Sequence, residues 1–200
     1  MSTDAPERIE STVDEESLLR ILHTLRVRGF VSRDVLDAST ESVPGEYLSS
    51  AAGRVFLTPE GLAHHDVLLD RWRAHADISS ITAAYDRFLA VNQQFKSVCA
   101  GWQSRSGGSQ DAAADVLYET ADTLTQIVDR VRPAIERTAR LVAWFDEYDS
   151  RLTTAVEAAL DGDARFITDP RVDSAHSIWF ECHEDYLTSL GRSREDEGSY

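Results

Sequence analysis

Between Ile78 and Trp102 the positions Ile78, Ile81, Tyr85, Phe88, Asn92, Phe95, Cys99 and Trp102 follow one another in unbroken steps of three and four, with Asn92 the one polar amide among them. Such steps return each side chain to one stripe of a helix, and the stripe needs other helices to cover it. The covering helices are legible downstream. After the loop SRSGGSQD, Leu117, Ala121, Leu124, Val128 and Val131 repeat the rhythm, and Pro133 predicts a kink or restart. A third helix, from about Pro133 to Leu160, places Ile135, Val142, Phe145, Leu152 and Val156 inward, with Trp144 and Tyr148 widening the stripe, before Asp161-Gly162-Asp163 stops it. Asp169-Pro170 predicts the start of a fourth, carrying Val172, His176, Trp179, His183, Tyr186 and Leu190. Residues 77–192 therefore predict an antiparallel four-helix bundle, with residues 193–200 as a tail.

The first 76 residues follow a different plan. Residues 1–13 read as an acidic tail and residues 14–76 as a small domain with a connecting helix. Leu18, Ile21, Leu22 and Leu25 mark one face of a helix that ends at Gly29. Ser32 can cap a second short helix over 33–38, and Val43 to Ala52 predicts a third. Arg54 to Leu57 has strand character, and Thr58 caps a helix whose first turn holds Pro59 and Glu60. Helix, helix, helix, strand, helix is the order of a winged helix. The fold class expected is all-α with a minor β wing: a winged-helix N-terminal domain plus the bundle.

Charge restricts what such a chain binds. The sequence has 35 acidic and 20 basic residues, for a net charge of −15, and 19 of the basic residues are arginines, Lys96 being the only lysine. A broad nucleic-acid footprint requires clustered cations, which this balance lacks. No apolar run reaches the roughly 18–20 residues of a bilayer span. The opening residues lack the basic flank and apolar stretch of a secretory signal, so a cytoplasmic location is expected. Cys99 and Cys182 have neither a CxxC nor a Cys/His metal spacing.

Two resemblances attach to particular residues. Leu57-Thr58-Pro59-Glu60-Gly61 resembles the wing-to-helix junction of MarR- and PadR-like regulators, over roughly residues 14–75. It implies DNA binding by a dimer, with Arg33 and Arg54 as phosphate contacts and the connecting helix, through Leu68, Leu69 and Trp72, as the pairing surface. The third-helix segment GEYLSSAA, however, carries no Lys, Arg, Asn or Gln with which to read bases. The segments Arg87–Gln103 and Ser174–Tyr200 are similar to a helical C-terminal region of actinobacterial pyruvate phosphate dikinase-like proteins. With no phosphohistidine motif and no Gly-rich nucleotide loop, that similarity implies an accessory module rather than an enzyme.

Polar residues on the apolar seams are the remaining candidates. Asn92, His176 and His183 are expected to point inward, where they form either a satisfied structural network or the lining of a pocket for a small anionic metabolite. In the second reading Arg87, Lys96, Gln103, Trp179 and Glu184 join them. Asp173 is expected to contact His176 and raise its basicity, and the adjacent His64 and His65 are expected at the surface. His176 and His183 are seven residues apart, about 10 Å of helix rise, too far to share one metal ion. Neither a metal, a cofactor nor a catalytic residue is expected. The two functions that follow are a ligand-responsive regulator, and an interaction module that binds no DNA and docks on a metabolic enzyme of the dikinase-like kind.

Overall fold

The structure is a computed structural model that describes residues 14–33, 43–106 and 114–195. It is mostly helical with one small antiparallel sheet, and it separates into two compact units, Met1–Ala74 and His75–Tyr200.

The first unit opens with α1 (Glu15–Arg28). Asp14 caps it by accepting from Ser17 N–H at 2.9 Å, two glutamates occupy the first turn, and Gly29 in the left-handed region (φ 75°) ends it. Strand β1 (Val31–Ser32) follows, then β2 (Leu48–Ala51) and β3 (Arg54–Leu57), in the sheet order β1-β3-β2. The β2–β3 turn is Ala52-Gly53, both with positive φ (49° and 75°), the geometry that matches a two-residue hairpin to the strand twist. Leu25, Val31 and Val55 form a small core, with Ile21, Leu48 and Leu57 packed against it.

Here the structure corrects the expectation of a third helix over Val43–Ala52. Pro44 to Tyr47 make turns, and Leu48–Ala51 pairs residue for residue with Arg54–Leu57. A strand forms because the preformed turn holds β3 alongside, giving this serine-rich stretch a ladder that helical geometry would forgo. The expected second helix lies outside the described residues except for Arg33, which is in a turn.

Helix α2 (Pro59–Arg73) starts where the Thr58 cap predicts, the Thr58 hydroxyl accepting from Gly61 N–H at 3.0 Å. Leu68 and Leu69, expected at a pairing surface, are buried within the single chain, while Leu62 and Val67 are the exposed apolar residues of this helix.

The second unit consists of α3 (Ile78–Ser106), α4 (Ala114–Ala139), a 3₁₀ turn (Ala143–Phe145), α5 (Tyr148–Leu160), α6 (Arg165–Thr168) and α7 (Ala175–Leu190). α3 packs on α4, α4 on α5, α5 on α7, and α7 back on α3. The α3 seam from Ile81 to Trp102 is buried as its rhythm predicts.

Two boundaries move. Pro133 lies inside α4, on its exposed side, and the helix runs on to Ala139. The break falls at Arg140–Glu147, where the 3₁₀ turn buries Trp144 and Phe145. Asp169-Pro170 does not open the last helix either. Asp169 closes α6, and Ser174 caps α7. The Asp169 carboxylate instead takes the Arg171 N–H at 2.9 Å and the Arg171 guanidinium at 2.7 Å.

Candidate functional site: the seam between α3 and α7

α3 and α7 run antiparallel across an aromatic seam. Phe95 stacks on Trp179 with ring centroids 4.1 Å apart, Phe88 packs on the same indole at 4.5 Å, and Tyr85 meets Tyr186 at 5.1 Å. Polar atoms within this layer need partners, since an unmet donor away from water costs about 1–3 kcal/mol. Each finds one. Trp179 Nε1–H donates to Asn92 Oδ1 at 2.9 Å, and the Tyr85 hydroxyl lies 2.9 Å from His183 Nε2. Tyr186 and Thr138 share a hydroxyl contact at 2.8 Å, and Tyr148 O–H donates to the buried Asp185 carboxylate at 2.7 Å. Every buried side-chain nitrogen and oxygen among the described residues is hydrogen-bonded.

Of the residues singled out from sequence, Asn92, Trp179 and His183 meet in this layer. Burial holds His183 neutral, pushing its pKa down to about 4, with the Arg194 and Lys96 cations adding to the shift and Glu184 opposing it. Lys96 and Glu184 are half-buried at the rim, whereas Arg87 and Gln103 are exposed.

His176 departs from expectation. It sits half-buried beside the seam with its ring 5.6 Å from that of Phe180. Asp173 does not reach it, because both carboxylate oxygens are held by Arg151 at 2.7 and 2.8 Å. Burial therefore lowers the His176 pKa, opposite in direction to the expected Asp-assisted rise. Arg151 also grips Glu181 at 2.8 and 2.9 Å, a bidentate pairing that ties α5 to α7 and raises the guanidinium pKa against the cost of its burial.

Residue 191 onward, partly expected as a tail, contributes as well. Gly191 takes the left-handed conformation (φ 66°), after which Arg194 lies back over the Phe180 ring at 4.2 Å and bonds Glu184 at 3.0 Å. Arg192 sits 5.7 Å from the Tyr85 ring centroid. No local periodicity marks these contacts, since they depend on a chain reversal.

In the first unit Arg33 and Arg54 are both exposed. The Arg33 N–H donates to the Gly53 carbonyl at 3.0 Å, and the Arg54 guanidinium lies 4.2 Å over the Phe30 ring. The histidine doublet is a further correction. His64 is half-buried and stacks on Tyr47 at 4.5 Å. His65 is fully buried, its Nε2 3.1 Å from Nδ1 of the equally buried His23 on α1. His65 Nδ1 faces the Asp66 carboxylate at 3.1 Å, which can only accept, so Nδ1 carries the proton. In the neutral ring Nε2 then accepts from His23 Nδ1–H. Sequence offered no signal for a pair formed across 42 positions.

Among the described residues no group of three His, Cys, Asp or Glu is placed to hold a metal ion, and no helix is long and apolar enough to cross a membrane. No protein-family model matches the chain, and no curated protein or solved structure shows significant similarity to it.

Proposed function

We propose that this chain is an interaction module, built on a winged-helix-like head and a four-helix body, that docks on a protein partner and does not read DNA. One observation carries the reading. The segment expected to present base-reading side chains, Val43–Ala52, carries no Lys, Arg, Asn or Gln and is bend, turn and strand rather than helix. The sheet order β1-β3-β2 and the Thr58-capped helix after it support the winged-helix frame. The closed ring of α3, α4, α5 and α7 supports the bundle. The seam residues bond one another, which favours a rigid scaffold over a ligand pocket. The partner class follows from the resemblance of Arg87–Gln103 and Ser174–Tyr200 to the accessory region of dikinase-like proteins.

A regulator reading keeps one specific support: the exposed Arg33 and Arg54 flank the hairpin turn. Titration of labelled duplex DNA at low salt separates the two. The interaction module leaves anisotropy unchanged. Binding that falls steeply with salt and disappears in Arg33→Glu/Arg54→Glu overturns the proposal. Co-elution with a purified dikinase-like enzyme in size-exclusion chromatography is the positive result expected.

A further inference from the structure

Residues 75–200 carry 22 acidic and 12 basic residues, a net charge of −10. Among the described residues six of these cations have carboxylate partners: Arg105 with Glu119, Arg132 with Asp129 and Asp149, Arg151 with Asp173 and Glu181, Arg165 with Asp163, Arg171 with Asp169, and Arg194 with Glu184. Arg87, Lys96, Arg130, Arg137, Arg140 and Arg192 have none among the described residues, and of these Lys96 and Arg192 border the α3–α7 seam. Arg192 lies over Tyr85, whose hydroxyl meets His183. Arg194 joins them from the same returning segment, with Glu184 as its counter-charge. The lone lysine and two arginines of an acidic unit thus border the same seam, spread along it.

Between Tyr85 and Lys96 the helix rises about 16 Å, the length of roughly five residues of extended chain. A small anion would meet only one end of such a row. Beside it Phe180 is 45% exposed, a large apolar side chain with Arg194 stacked on one face. We propose that the α3–α7 face bordered by Lys96, Arg192 and Arg194 is a docking groove for an extended acidic segment of a partner protein, with an apolar side chain of that segment seated against Phe180. This rests on the interaction-module reading and specifies its surface. The negative remainder of the chain repels such a segment at long range, but at 0.15 M salt screening acts over about 8 Å, leaving the row's own charge to govern contact.

The experiment uses the full chain and a fluorescein-labelled peptide of twelve residues, alternating Asp and Glu around a central Leu, read by anisotropy at 0.15 M salt. Saturable binding is expected. Lys96→Glu/Arg192→Glu/Arg194→Glu should weaken it at least tenfold and Phe180→Ala severalfold, while Arg105→Glu, about two and a half turns on from Lys96 and on the opposite face of α3, leaves it unchanged. Circular dichroism checks that each variant is folded. Absence of binding, or equal loss in Arg105→Glu, overturns the groove. Displacement by inorganic phosphate as effective as by unlabelled peptide overturns it in favour of a small-anion site. Undiminished co-elution of the triple variant with a dikinase-like partner overturns the groove while leaving the interaction-module reading intact.

Discussion

The Nδ1–H of His23 donates to Nε2 of His65 across 3.1 Å, joining α1 to α2 through two imidazoles with no exposed surface. Burial, with His23 and Arg26 adding to it, pushes the His65 pKa down to about 4, against a smaller opposing pull from Asp66. The unfolded chain then takes up a proton near pH 6.5 that the folded chain refuses until about pH 4. This contribution is complete above pH 6.5 and is lost as pH falls toward 4. Denaturant titrations of the isolated 1–74 segment, should it fold, or residue-resolved exchange of α1 and α2 amides in the full chain, should show a loss on the order of 2 kcal/mol between pH 7 and 4.5. His23→Leu/His65→Leu should flatten that dependence. A pH slope that survives the double change would place it elsewhere.

Gly61 is required by a close approach. A Cβ at this position would stand 2.2 Å from the Tyr47 carbonyl oxygen, a backbone atom held by Thr58 N–H at 3.0 Å. Gly61→Ala should cost about 2–3 kcal/mol and lower the melting of the first unit. Calorimetry that finds the variant unchanged would show the turn free to shift.

Asn92→Ala strands the Trp179 N–H in the aromatic layer. A cost of about 1–3 kcal/mol in urea unfolding is expected, and Trp179→Phe on top of it should recover part of the loss. His176→Ala, half-buried and bonded to neither, should change stability by less. The reverse ranking would make His176 the structural member.

Pro133 denies α4 one backbone donor, facing the Asp129 carbonyl, at an exposed position. Pro133→Ala restores that bond without disturbing the core, and should raise stability by about 1–3 kcal/mol. A lowered melting temperature would mean that the helix depends on a bend at this point.

What the sequence made legible depended on how local each cause is. The α3 seam could be read because its steps repeat over seven helical turns and one face decides them. Thr58 and Gly29 could be read because a cap acts within three residues. β2 could not, because Leu48–Ala51 has no alternation of its own and takes its form from β3. Pro133 misled because an exposed proline can be tolerated when the faces on either side of it are firmly packed. In the candidate site, Asn92 and His183 were found from their register, whereas Tyr85 as the partner of His183, and the return of Arg192 and Arg194, depend on contacts between distant positions.

Both cysteines lie in the body, buried on α3 and α7, and burial pushes the Cys99 thiol up to about 12 and raises Cys182 as well. At neutral pH neither offers an appreciable thiolate to a reagent while the helices stay together. The pace of alkylation therefore times how often the body opens. The head, without a cysteine, is silent in that measurement, so a fault in its histidine pair or its Gly61 turn registers there only if the two units unfold together.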